Sequence, residues 1–60
     1  PNRYLTDCRL ARAKLLLISS ELSVAQIALQ TGFTQSSYFI KVFKEVEGMP
    51  PNQYRRAFGT

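Results

Sequence analysis

Sixty residues set a ceiling of one domain, and a composition of 45% hydrophobic and 20% charged residues belongs to a globular chain rather than a disordered one. Eight Lys and Arg against four Asp and Glu leave a net charge of +4, which favours a polyanionic partner, although solubility alone also accounts for mild basicity. With one cysteine, no histidine and four scattered acids, the chain cannot build an internal disulfide, a zinc site or a Cys–His or Ser–His–Asp constellation, so neither an enzyme nor a cofactor or metal is expected.

No secretory signal is visible, and no apolar run approaches the ~20 residues that span a bilayer. The expectation is a cytoplasmic protein with no membrane partner. A domain of this size buries only about 60% of the surface its unfolded chain exposes, so its stability is marginal.

The first element is expected as a helix from about Tyr4 to Ile18, free of internal Gly and Pro and rich in Leu, Ala, Arg and Lys. Leu5, Leu10, Ala13, Leu16 and Leu17 share one broad face, and Cys8, Ala11, Leu15 and Ile18 form a second stripe. Arg9 falls inside the first face, where its stem can pack while its head snorkels or meets an acid. The first face is enough to seat the helix, so the second stripe is expected to lack cover. The competing arrangement folds the last helix over it through Tyr54 or Phe58, and burial of both Leu15 and Ile18 would decide for that.

After the polar link Ser19-Ser20-Glu21, Ser23 and Gln26 have the S-x-x-Q spacing of a capping box, and Leu22 can staple onto Ile27. The second helix is expected to bury Val24, Ile27 and Ala28 and to stop at Gly32, with Phe33 packing back. A third helix follows over 35–47, with Thr34 as its cap. Phe39, Val42, Phe43 and Val46 mark its core face, while Ser37, Lys41 and Lys44 lie opposite, flanked by Tyr38 and Glu45. Gly48 ends it, Pro50-Pro51 blocks continuation, and Pro51 opens a last short helix over 51–58. Pro51-Asn52-Gln53-Tyr54 echoes Pro1-Asn2-Arg3-Tyr4, as repeat units fifty residues apart would.

Two short helices joined by a tight Gly-containing turn, the second with a polar outer face, are a helix-turn-helix pattern. Such a second helix fits the major groove, where base edges differ in donors and acceptors and the N-terminal residues reach deepest. Those residues are Gln35, Ser36, Ser37, Tyr38 and Lys41. The serines can donate and accept, Lys41 can donate to guanine or phosphate, and Tyr38 can meet a thymine methyl or a phosphate. Each also has a plainer reading: solvated first-turn serines, solubilising lysines, a tyrosine covering the core. The exposed start of the second helix at Ser23, Val24 and Ala25 offers backbone N–H groups to phosphate. Lys44, Arg55 and Arg56 are further phosphate candidates, the arginines equally readable as a charged C-terminus.

The run Tyr4-Leu5, Arg9-Leu10, Ala13, Leu16-Leu17, Ser23-Val24, Ile27-Ala28, Gly32-Phe33, Tyr38-Phe39, Val42-Phe43-Lys44, Gly48, Pro51 and Tyr54-Arg55 closely resembles the second half of the AraC/XylS-type regulator DNA-binding domain. The resemblance covers essentially the whole chain. It implies an all-α, homeodomain-like bundle in which 1–18 is a linker helix, 23–47 the helix-turn-helix and 51–58 the C-terminal helix. It also implies a double-stranded DNA partner and a first helix-turn-helix subdomain outside these residues. A sensor domain and RNA polymerase would be further partners in transcription regulation. Carried over by position, Ser36, Ser37, Tyr38 and Lys41 face the bases, where the family often has Arg or Gln. Serine discriminates bases weakly, so this half is expected to give more affinity than specificity. Ser36, nearer the core flank, fits that role least. A stand-alone helix-turn-helix acting as a dimer, or a protein-interaction bundle, are the competing functions.

Overall fold

A computed structural model describes residues 3–59, and the Pro1-Asn2 part of the sequence echo lies outside them. Four helices follow one another, α1 (Arg3–Ser19), α2 (Val24–Gln30), α3 (Ser36–Glu47) and α4 (Pro51–Phe58), with no strand among the described residues. α1 buries Leu10, Ala13 and Leu17, which recur at helical spacing along one face. Ile27 and Ala28 of α2, Phe33 of the turn, and Phe39 and Phe43 of α3 close the core, with Leu16, Leu22, Val24, Val42 and Tyr54 packed at its fringe.

A row of aromatic rings runs through that core to the surface. Phe33, Phe39, Phe43, Tyr54 and Phe58 follow one another with centroids 5.1, 5.7, 5.5 and 4.7 Å apart in tilted or edge-on contacts. Such geometries set the positive edge of one ring toward the negative face of the next. Burying a side chain as large as Phe39 or Phe43 contributes roughly 1.5–3 kcal/mol, a large share of what a domain this small retains.

The helix ends are closed by side chains as much as by backbone. Ser23 and Gln26 form the reciprocal capping box: the Gln26 N–H donates to Ser23 Oγ and the Ser23 N–H to Gln26 Oε1, each at 3.1 Å. At the other end of α2, Gly32 turns left-handed with φ +99°. Its N–H then donates to Leu29 O (3.2 Å) and that of Phe33 to Ala28 O (2.9 Å), while Phe33 drops onto the core. Thr31, the buried polar residue of the core, donates its hydroxyl to Ile27 O at 2.7 Å. α1 ends without a glycine. Ser19 and Ser20 donate back to Leu15 O and Leu16 O, and Arg55 reaches from α4 to Leu17 O (3.0 Å) and Ser20 O (3.2 Å). Gly48, left-handed at φ +84°, ends α3, and Pro51 stands at the first position of α4.

Three expectations change. The cap of α3 is Gln35, not Thr34: Gln35 has the extended backbone of a cap, with no side-chain hydrogen bond closing the helix. Val46 and Leu5, assigned to core faces by periodicity, are 41% and 43% exposed because they lie near the ends of α3 and α1, beyond their neighbours. The second stripe of α1 divides. Cys8, Ala11 and Leu15 are exposed, Leu15 by 59%, whereas Ile18 is half-buried beside a cleft lined by Leu17, Ser20, Glu21, Arg55 and Gly59. α4 meets the C-terminal end of α1 through Arg55 and leaves Leu15 exposed.

Removing the cap oxygen with Ser23→Ala is expected to lower stability by about 1 kcal/mol, seen as a lower melting midpoint; an unchanged midpoint would mean that α2 does not depend on the box. Arg55→Met strips Leu17 O of α1 and Ser20 O just beyond it of a charged donor. It should destabilise by about 1–3 kcal/mol in a denaturant titration, while Arg56→Met leaves the transition in place.

Candidate nucleic-acid interface

The polar face of α3 arises from the same turn that buries its apolar face. Once Phe33 is anchored, Phe39 and Phe43 enter the core, and residues half a turn away must face water. Ser37, Lys41 and Lys44 occupy that side at i, i+4 and i+7, and all are exposed. Neither lysine forms an ion pair among the described residues: Asp7 pairs with Arg3 (3.1 Å) and Glu47 with Lys14 (3.3 Å). Two ammonium groups are therefore available to a polyanion.

The remaining positions named from sequence separate into distinct environments. Tyr38 is 56% exposed, with its ring tilted against Phe33 at a centroid distance of 6.1 Å, so its base is fixed while its hydroxyl end stays in water. Ser36 is half-buried at the first helical position, on the core flank rather than beside Ser37. Ser23 and Ala25 are exposed and Val24 is half-buried. The cap hydroxyl already accepts from Gln26, so the amides still open at the start of α2 belong to Val24 and Ala25. Arg56 is exposed on α4. Arg55, its neighbour, is half-buried, with Nε and Nη2 donating to the end of α1. Adjacent arginines thus have different work, which the sequence alone did not separate.

The structural roles of two residues escaped the sequence reading. Thr31 had a legible signal: a threonine just before a glycine at a helix end can donate to the carbonyl four residues back. Arg55 had none, because its acceptors lie 35 and 38 residues away.

No group of three or more His, Cys, Asp and Glu gathers among the described residues as a metal site would require, and no helix of them is long and apolar enough to cross a membrane. The family described as helix-turn-helix domain matches residues 1–57. A Haemophilus influenzae HTH-type transcriptional regulator is 44% identical over 57 residues, covering 95% of this chain and 19% of its own length. The HTH-type transcriptional activator RhaR of Salmonella heidelberg is 44% identical over 54 residues, covering 90% of this chain and again 19% of its own. Among solved structures, the C-terminal domain of AraT, a response regulator from Geobacillus stearothermophilus, superimposes with a TM-score of 0.89 at 40% identity, over 92% of this chain and 46% of that one. The chain spans about a fifth of the curated relatives it matches. The match over nearly every residue, and the two helices set by the Gly32–Phe33 turn, place this chain in the AraC-type helix-turn-helix family of DNA-binding transcription regulator domains.

Proposed function

We propose that α3 lies in the major groove of double-stranded DNA, with Ser37 and Lys41 toward base edges and Ser36 and Tyr38 at the flanks of that contact. Lys44, Arg56 and the open amides of Val24 and Ala25 at the start of α2 meet phosphates, the Ser23 amide being held by Gln26. Arg55 contributes indirectly, by holding α4 and thus Arg56 in place. The observation that carries this reading is the exposed row Ser37–Lys41–Lys44, whose ammonium groups no carboxylate neutralises among the described residues. The domain acts by binding, without catalysis or cofactor, in the bacterial cytoplasm.

The wider regulator is part of the same proposal. Relatives about five times longer leave room for a first helix-turn-helix subdomain, a sensor domain and contacts with RNA polymerase. The exposed face Cys8–Ala11–Leu15 of α1 is where the first subdomain would pack, since leaving Leu15 in water forgoes roughly 1.5–3 kcal/mol. On this account residues 1–60 alone should melt well below the same residues in their longer chain. Leu15→Gln should narrow that gap by destabilising only the longer form; equal midpoints for both lengths would leave the stripe without that role.

Lys41→Ala tests the groove contact on a duplex selected from a randomised pool. A base contact costs about 1–3 kcal/mol of affinity and relaxes preference at one position. A phosphate contact weakens binding evenly and lowers the salt slope by about 1. No change in affinity, preference or slope would take Lys41 out of the interface.

A further inference from the structure

We propose that Arg9 is a positioning residue for DNA recognition: from α1, its guanidinium props the turn between α2 and α3 and thereby sets where the outer face of α3 stands. The proposal rests on the reading that α3 is the recognition helix.

Arg9 projects from the buried side of α1 and is itself half-buried. A Cβ placed on Gly32 would lie 2.8 Å from Arg9 Nε and 3.2 Å from Cζ, so the guanidinium sits against the bare backbone of the turn. Its Cζ is also 5.9 Å from the centre of the Phe33 ring, within the range at which a cation is attracted to a ring face. No acid pairs with Arg9 among the described residues. Its charge is answered by an aromatic face rather than by a carboxylate.

Phe33 passes that contact onward. Its ring meets Tyr38 at 6.1 Å and Phe39 at 5.1 Å, so a continuous row of packed groups runs from α1 through the turn into the first turns of α3. Tyr38 is exposed at the end of that row, beside Ser37. Glycine at position 32 serves both the turn and this contact. Its φ of +99° disfavours any side chain, and a Cβ there would also push the guanidinium, the mobile end of a long side chain, off this seat. A guanidinium suits this seat better than a compact ammonium, because its several atoms reach ring and backbone at the same time. Displacement of α1 would reach Tyr38 through Phe33, giving the helix that carries Arg9 a direct influence on the reading face.

The test compares Arg9→Met, which keeps the stem, and Arg9→Lys, which keeps the charge, in the full-length regulator. Two readouts are taken: tyrosine ring resonances from selectively labelled protein without DNA, and binding to a duplex selected by the wild type against a scrambled duplex at two salt concentrations. Both variants should shift the Tyr38 signals. Both should reduce discrimination between the duplexes by about fivefold, as expected if a stabilisation of cation–π size is spent on the bound geometry. Unshifted Tyr38 signals overturn the proposal. So does even weakening on both duplexes with a salt slope lower by about 1, which marks a phosphate contact. Should Arg9→Met fail to fold, Arg9→Lys, with stem and charge intact, decides alone. If the wild type selects no sequence, the DNA reading fails, and the Tyr38 signals still decide whether Arg9 positions α3.

Discussion

The left-handed turn at Gly32 is the constraint on which the other elements depend. α2 is seven residues long, far below the ~12–15 at which an isolated helix holds in water. It persists because both ends are tied. The Ser23–Gln26 box closes one, and the Gly32 and Phe33 amides, with the Thr31 hydroxyl, close the other. The same turn aims α3. Phe33 folds over Ala28, Phe39 and Phe43 follow it into the core, and the angle between the two helices is fixed by rings rather than by a flexible link.

A small core leaves little room for unsatisfied polar groups, and this domain meets the demand with side chains drawn from neighbouring elements. No buried side-chain nitrogen or oxygen lacks a partner among the described residues. At the end of α1 the Ser19 and Ser20 hydroxyls add second donors to Leu15 O and Leu16 O, and Arg55 takes Leu17 O and Ser20 O, so one guanidinium both ends a helix and fastens α4 to it. The partly buried Lys14–Glu47 pair joins α1 to the end of α3 in a similar way. These contacts place charge inside the scaffold where its pairing is local, and leave Lys41, Lys44 and Arg56 for the outside.

On the proposed reading, the face presented to DNA is stronger in charge than in code. Lysine is a point charge without the planar fork that reads guanine, and Ser37 makes at most weak distinctions among bases. Such a face suits one module of a longer regulator, in which registration on the duplex is shared with a second unit. The exposed stripe on α1 and the relatives' greater length fit that arrangement.

The order of the helices, the two glycine stops at Gly32 and Gly48, the capping box, the aromatic face of α3 and the resemblance to a regulator family were all legible in the sequence. Each rests on signals within a few residues of one another: periodicity, cap spacing, a glycine where a helix must stop. Tertiary structure alone decided which polar residues are spent inside. Adjacent Arg55 and Arg56 are indistinguishable by local pattern, and only the approach of α4 to the end of α1 gives one of them carbonyls to bind. Ser36 and Ser37, by contrast, already part by helical period, which sets Ser36 on the flank of α3 that packing covers. Leu5 and Val46 fit the apolar period and still stay in water, because a period assigns a face and cannot say how far along a helix the neighbouring elements extend.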